Sequence, residues 1–106
     1  MDKLLNFLGL CRRAGKLTTG FDAVEETLIK GESQLVIIAS DTSPNTEKKL
    51  SRTCETHNVK LIKLDRSKEE ISIAIGRFAA TASVTDKGFA QNIERLTQNE
   101  TGGNSL

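Results

Sequence analysis

Apolar positions recur at two different spacings along this chain, and the change of spacing predicts alternating helices and strands. Leu4, Phe7, Leu8 and Cys11 are spaced i, i+3, i+4 and i+7, which is the pattern of one buried helix face. Residues 35–39 instead form the unbroken run Leu-Val-Ile-Ile-Ala, which predicts a strand covered on both faces. The chain is therefore expected to contain both kinds of element.

Capping residues mark where further helices begin. Ser43 and Pro44 have the types of an N-cap and a first helical residue, and Ser67 lies three positions before Glu70, as in a capping box. Asp86 precedes a final helix. The predicted strands cover residues 16–19, 35–39, 59–64 and 80–85. The last of these strands alternates Ala and Val with Thr and Ser.

This order of elements predicts an α/β fold, a three-layer α/β/α sandwich around a small mixed sheet of about four strands. A chain of 106 residues is long enough to bury one core, so we expect a single domain over residues 1–98. Residues 99–106 are expected to form a disordered C-terminal tail.

Composition narrows the classes of function. The chain is 37% hydrophobic and 27% charged, and it has neither a membrane-spanning apolar run nor the apolar region of a signal peptide. A cytoplasmic protein without membrane contact is therefore expected. Cys11 and Cys54 lie far apart in predicted helices and are expected to be reduced and buried. His57 is the only histidine and has no second ligand at metal-binding spacing, so we expect no metal and no other cofactor.

The candidate catalytic motifs in this sequence are incomplete or have a structural explanation. Gly9, Gly15 and Lys16 resemble a phosphate-binding loop, but five residues separate the glycines, the hydroxyl residue that binds magnesium is missing, and no strand precedes them. The acidic pairs 25–26 and 69–70 lie in the first turns of predicted helices, where the helix dipole already explains them. The chain is therefore not expected to be an enzyme.

A basic patch precedes one of the predicted helix starts. Arg12, Arg13 and Lys16 place three positive charges within five residues, close to a predicted helix that has Thr18, Thr19 or Gly20 as its N-cap. Such charges attract a polyanion, and free amides at a helix start bind anions or present donors to a base edge. The net charge is only +1, so any such binding must be local. An ordinary solvated helix end, with cations that complement the dipole, explains the same residues.

An aromatic residue in a glycine loop also has two interpretations. Phe78 lies beside Gly76 and Arg77, just before the last predicted strand. It can fill the core, which we prefer from the residues alone, or it can stack on an unpaired base.

Four segments together resemble one known family. They are the segment Leu-Thr-Thr-Gly-Phe-Asp at 17–22, the strand 35–39, the loop Asp-Thr-Ser-Pro-Asn-Thr at 41–46, and the glycine loop before the strand 80–85. In this order, over residues 3–97, the chain is similar to the superfamily of large-subunit ribosomal proteins seven-Ae and thirty-e, and in particular to its bacterial YlxQ-like branch.

The resemblance implies an RNA-binding protein that recognises kink-turns, which are duplexes sharply bent at sheared G·A pairs. Its partner would be ribosomal or other structured RNA, with association with the ribosome. In that family the N-terminus of the second helix enters the RNA groove; Gly20 matches its glycine and Asp22 the asparagine that reads the G·A pairs. Ala23 and Glu26 stand where the family has glutamate and lysine. The loop 75–79 matches the one that covers an unstacked nucleotide.

The two loops are expected to share one edge of the sheet if strand 80–85 runs antiparallel to strand 16–19, with the basic residues contacting phosphates beside them. The predicted RNA-binding residues are Arg12, Arg13, Lys16, Thr19, Gly20, Phe21, Asp22, Ile75, Gly76, Arg77, Phe78 and Ala79. Two alternatives remain open: a protein–protein interaction module on the same fold, and an accessory substrate-binding domain whose catalytic partner lies elsewhere.

Overall fold

A computed structural model describes residues 2–102 of the chain. Five helices and four strands alternate along this part of it. The elements are α1 (Lys3–Arg13), β1 (Leu17–Thr19), α2 (Phe21–Ile29), β2 (Leu35–Ile38), α3 (Pro44–Thr56), β3 (Leu61–Lys63), α4 (Lys68–Ile75), β4 (Thr81–Val84) and α5 (Lys87–Gly102).

The four strands form one mixed sheet in the order β1-β4-β2-β3. Strand β4 runs antiparallel to both β1 and β2, while β2 and β3 are parallel. The register pairs Thr19 of β1 with Ala82, and Ile38 of β2 with Thr81. The ends of β1 and β2 therefore lie beside the beginning of β4, and this edge of the sheet is called the rim below.

Helices cover both faces of the sheet and make two separate cores. On one face, side chains of α1, α4 and α5 pack with Leu35, Ile37, Ala82 and Val84 of the sheet. On the other face, side chains of α2 and α3 pack with Val36 and Ile38. Each face of the fully buried strand β2 thus contributes to a different core, and the predicted three-layer α/β/α sandwich is confirmed.

The helix starts follow the capping chemistry of the sequence. The Ser43 hydroxyl accepts a hydrogen bond from the Thr46 N–H, with Pro44 as first helical residue, and Ser67 and Glu70 form the predicted capping box. The Asp86 carboxylate accepts from the Phe89 N–H at 2.9 Å. These side chains satisfy amides that have no partner inside their helices.

Strand β4 carries polar side chains in the interior of the fold. Its Ala and Val alternate with Thr and Ser, yet all four residues are buried because β4 has a neighbour on each side and helices on both faces. The Ser83 hydroxyl is satisfied in the interior, because it accepts a hydrogen bond from Thr27 and donates one to Ser33, both at 2.8 Å. Ser83 therefore belongs to a buried hydroxyl network and does not face solvent.

The C-terminal helix is longer than the sequence indicated. Helix α5 continues to Gly102, so the first residues of the predicted disordered segment are helical, and residues 103–106 lie outside the described residues. The Arg66 guanidinium connects this part of α5 to the rest of the domain, since it forms ion pairs with Glu100 of α5 and with Asp2, the N-cap of α1.

Both cysteines are free and buried, as predicted. Burial raises the pKa of the Cys11 and Cys54 thiols from 9.0 to about 11. Within residues 2–102, no cluster of three or more His, Cys, Asp or Glu side chains has the arrangement of a metal site. No helix in the same part of the chain is both long enough and apolar enough to cross a membrane.

Candidate nucleic-acid interface

Helix α2 begins at the rim with its main-chain amides uncapped by a side chain. The N-cap is Gly20, at φ +96° and ψ 145°. Because glycine has no side chain, the start of α2 has no side-chain capping hydrogen bond. The first intrahelical bond runs from the Val24 N–H to the Gly20 carbonyl oxygen at 2.9 Å, so the amides of residues 21–23 precede the intrahelical ladder. Asp22 is exposed in this first turn. The helix start therefore combines amide donors with a carboxylate acceptor.

The residues on either side of Asp22 and Gly20 are less accessible. Thr19 ends β1 and is half-buried, and Phe21 is half-buried because its ring packs against the core between α2 and α3. Among residues 19–22, Asp22 is thus the side chain that the fold leaves exposed. Thr19 and Phe21 fix the position of the turn.

The glycine loop between α4 and β4 combines anchored ends with an exposed centre. Ile75 and Ala79 are each 3% exposed and belong to the core, so their side chains position the loop and do not face solvent. Gly76 ends α4 at φ +73°, and Arg77 and Phe78 are exposed.

Phe78 is 81% exposed, so the preferred core interpretation is wrong. The reason is positional: with Ile75 and Ala79 fixed inward and Gly76 turning the chain, the intervening residues project away from the core. The Ala79 N–H donates to the Ser72 hydroxyl at 3.0 Å, which ties the end of the loop back to α4.

Main-chain hydrogen bonds join the two segments at the rim. The Gly20 N–H donates to the Thr81 carbonyl oxygen at 3.1 Å, and the Ala39 N–H donates to the Ala80 carbonyl oxygen at 2.9 Å. Thr42, in the loop that leads into α3, donates to the Ala39 carbonyl oxygen at 2.8 Å. The start of α2, the glycine loop and the β2–α3 loop therefore share one edge, as the antiparallel register predicted.

The predicted basic residues divide into two groups. The guanidinium of Arg12 lies over the glycine loop, since a Cβ atom at position 76 would be 4.0 Å from its Nη1 atom. Arg13 is exposed beside it at the end of α1. Lys16 is exposed but precedes β1, and its carbonyl oxygen accepts from the Thr85 N–H at 3.0 Å. Lys16 thus lies about 13 Å from Gly20 along the extended chain, at the opposite end of β1.

A shallow apolar groove beside Phe78 was not predicted from the sequence. It has a volume of about 490 Å³ and is lined by Asp41, Lys68, Glu69, Ser72, Ile73, Arg77 and Phe78. Ile73 is 66% exposed. The available signal was that Ile73 falls outside the buried pair Ile71 and Ile75, which share one face of α4. The Asp41 carboxylate accepts from the Lys68 N–H at 2.8 Å and so joins the β2–α3 loop to the start of α4.

Comparisons with known proteins agree with this architecture. The RNA-binding protein YlxQ of Enterococcus faecium is 32% identical over 97 residues, which cover 92% of this chain and 93% of that protein. The RNA-binding protein YlxQ of Bacillus subtilis (strain 168) is 34% identical over 90 residues, or 84% of this chain and 89% of that protein.

Solved structures of other proteins share the fold of this chain. A Bacillus halodurans C protein of unknown function superimposes with a TM-score of 0.87 at 30% identity, covering 92% of this chain and 99% of that one. The Giardia lamblia 15.5kD RNA binding protein has the same fold, with a TM-score of 0.76 at 21% identity over 92% of this chain and 90% of that one. The sequence model of the ribosomal protein L7Ae/L30e/S12e/Gadd45 family matches residues 2–94 of this chain. The chain belongs to that family.

Proposed function

We propose that this chain binds structured RNA that carries a sharp bend of the kink-turn type, through the domain formed by residues 1–98. The observation that carries the proposal is the hydrogen bond between Gly20 and Thr81, which brings an uncapped helix start and an exposed aromatic loop to one rim. The names of the curated relatives, both RNA-binding proteins, support RNA as the ligand. The proposed role is binding and not catalysis.

Each exposed group at the rim has a distinct task in this proposal. The first turn of α2 enters the groove at the bend, where its amides donate hydrogen bonds and the Asp22 carboxylate accepts from guanine N–H groups. Phe78 stacks on a nucleotide that the bend leaves unstacked. Arg12 and Arg13 contact phosphates beside the loop and position the RNA without reading its sequence.

At two positions of α2, this chain differs from the pattern of the family. Ala23 removes a carboxylate from the first turn of α2, and Glu26 reverses the charge of the usual lysine. Glu26 forms an ion pair with Lys30 at 2.6 Å, so the reversed charge is locally compensated. We propose that the protein is cytoplasmic, since free buried thiols fit that compartment. We also propose that its RNA target is ribosomal.

Filter binding tests the proposal. A kink-turn RNA and a straight duplex of equal length are titrated with the protein at several salt concentrations, and the kink-turn is expected to bind more tightly at each. Replacing Arg12 and Arg13 by Ala is expected to lower the slope of log K against log salt by about one for each lost phosphate contact. The matched control replaces Lys87 and Arg95, two exposed cations of α5. Equal affinity for both RNAs contradicts the proposal, whereas capture of a protein partner that ribonuclease does not abolish favours the protein-interaction alternative.

A further inference from the structure

Helix α3 carries a second set of cations that the proposed site does not use. Lys48, Lys49 and Arg52 are exposed, and at 100° per residue they fall within an arc of about 100° on the helix surface. None of the ion pairs found within residues 2–102 involves any of the three. The sequence alone predicts an ordinary solvated helix face for these three residues.

Contacts on both flanks of α3 fix the direction of this arc. On one flank, Glu47 forms an ion pair with Lys63 of β3 at 3.1 Å. On the other flank, the Thr53 hydroxyl donates to the Glu25 carboxylate of α2 at 3.1 Å. Leu50 faces the core. The arc therefore points away from the sheet, and its Lys49 edge is the one that turns toward α2.

The same contacts place Lys49 beside the start of α2. Because β1 and β2 both run antiparallel to β4, they point the same way, and the helices that follow them both begin near the rim. Thr53 contacts Glu25, one turn into α2 from Phe21. Lys49 lies one turn before Thr53 and so nearer the rim, at the level of the first turn of α2.

Carboxylates also lie near this arc, and Glu55, one turn after Arg52 on the same exposed face of α3, forms none of the ion pairs found within residues 2–102. The Glu25 carboxylate accepts the hydrogen bond from Thr53, and Glu26 is paired with Lys30. Since the three cations of α3 form none of those ion pairs either, they can neutralise an external anion without breaking one. This differs from Lys60 and Arg66, each of which is held by a carboxylate of the chain.

We propose that Lys48, Lys49 and Arg52, here called the α3 ridge, form a second phosphate-binding surface that holds one arm of a bent RNA. Arg12 lies on the other face of the sheet, over the glycine loop, so the two cationic groups flank the start of α2 from opposite sides. A bent RNA sends two arms away from its bend, and each group then faces the backbone of one arm. This inference rests on the proposed function and adds the contacts of the second arm.

Three RNAs test the assignment. One is a kink-turn with two long arms, and in each of the others one arm is cut back to the base pairs next to the bend. The ridge variant is Lys48→Ala with Lys49→Ala and Arg52→Ala, which retains helix propensity, and circular dichroism verifies the fold. The comparison variants are Arg12→Ala with Arg13→Ala, and Lys87→Ala with Arg95→Ala as the charge-matched control.

On the long-armed RNA, the ridge variant is expected to raise the Kd roughly tenfold or more at 0.1 M salt and to lower the salt slope by about two to three. On the RNA that lacks the arm held by the ridge, it is expected to bind like the unmodified protein. The Arg12 and Arg13 variant is expected to depend on the other arm.

An unchanged salt slope of the ridge variant on the long-armed RNA overturns the inference, as does an equal loss on all three RNAs. Both results leave the proposed function intact provided that the unmodified protein still prefers the kink-turn to a straight duplex. If the unmodified protein has no such preference, the proposed function itself fails and the inference falls with it.

Discussion

The Gly20 N–H donates a hydrogen bond to the carbonyl oxygen of Thr81 over 3.1 Å, and this contact joins the start of α2 to the start of β4. The two residues are sixty-one positions apart in the sequence, so the relationship exists only in the folded chain. It keeps the amides of α2 and the loop that carries Phe78 at one edge. The rim is thus held by main-chain atoms, and its exposed side chains can change without moving it.

Gly20→Ala tests this arrangement directly. Gly20 has a positive φ of +96°, which a residue with a Cβ adopts only with strain, so the free energy of unfolding is expected to fall by about 1–3 kcal/mol. RNA affinity is expected to fall as well, because the start of α2 shifts. Urea denaturation and filter binding measure the two effects. Gly31→Ala, at φ +74° beyond the far end of α2, is the control and is expected to lower stability only. Unchanged RNA affinity in the Gly20 variant contradicts the assignment of α2.

Phe78→Ala separates binding from stability. Because the ring is 81% exposed, its removal is expected to change the free energy of unfolding by less than about 0.5 kcal/mol. Loss of a stacked base is expected to weaken RNA binding by about 1–3 kcal/mol. Ile73→Ala, which removes an exposed apolar side chain from the same groove, is the control and should leave the affinity unchanged. A kink-turn affinity equal to that of the unmodified protein would show that Phe78 does not contact the RNA.

Asp22 tests whether an acceptor or a charge is needed at the start of α2. Asp22→Asn keeps an oxygen acceptor and removes a negative charge that phosphates repel, so tighter binding to a kink-turn is expected. Asp22→Ala removes the acceptor and should bind more weakly than Asp22→Asn at the same salt concentration. Isothermal titration of both variants measures the difference. Equal affinities of the two variants would remove Asp22 from the reading of G·A pairs.

Local chemistry accounts for most of what the sequence predicted correctly. Ser43 with Pro44, and Ser67 with Glu70, define helix starts through atoms only a few residues apart, so a single window of sequence contains the whole signal. The unbroken run 35–39 likewise carries its own evidence of burial on both faces. The family resemblance identified the two loops, and the antiparallel arrangement of strands 16–19 and 80–85 predicted that they meet.

The features whose positions could not be predicted from the sequence depend on contacts between distant segments. Whether Phe78 points inward follows from the anchoring of Ile75 and Ala79 under α1, which no local pattern encodes. The buried hydroxyl of Ser83 is satisfied by Thr27, fifty-six positions away. Lys16 is near Gly20 in sequence yet lies at the other end of β1, because a short strand separates them. The sequence therefore identified candidate residues of the site, but it did not show which way their side chains point.

Gly9 sets the distance between α1 and α4. A Cβ atom at this position would lie 2.8 Å from the Ala74 carbonyl oxygen, so Gly9→Ala forces the two helices apart. We expect the free energy of unfolding to fall by about 1–3 kcal/mol in urea denaturation. Gly88→Ala, in the first turn of α5, would meet only a carboxylate oxygen of Asp86 at 3.3 Å and should change stability by less than about 1 kcal/mol. Equal effects of the two substitutions would contradict the close helix contact.

The buried thiols predict a loss of stability at alkaline pH. The pKa of Cys11 and of Cys54 is raised from 9.0 to about 11 in the folded chain, so below pH 9 both states hold the proton and stability is unaffected. Between pH 9 and 11 the unfolded chain releases it first, which favours unfolding by up to about 2–3 kcal/mol for each thiol. Urea denaturation across this range measures the slope. The variant with Cys11→Ala and Cys54→Ala leaves cavities and is expected to be less stable at pH 7, yet its stability should decline less steeply above pH 9. Parallel curves for the two proteins would show that other groups cause the decline.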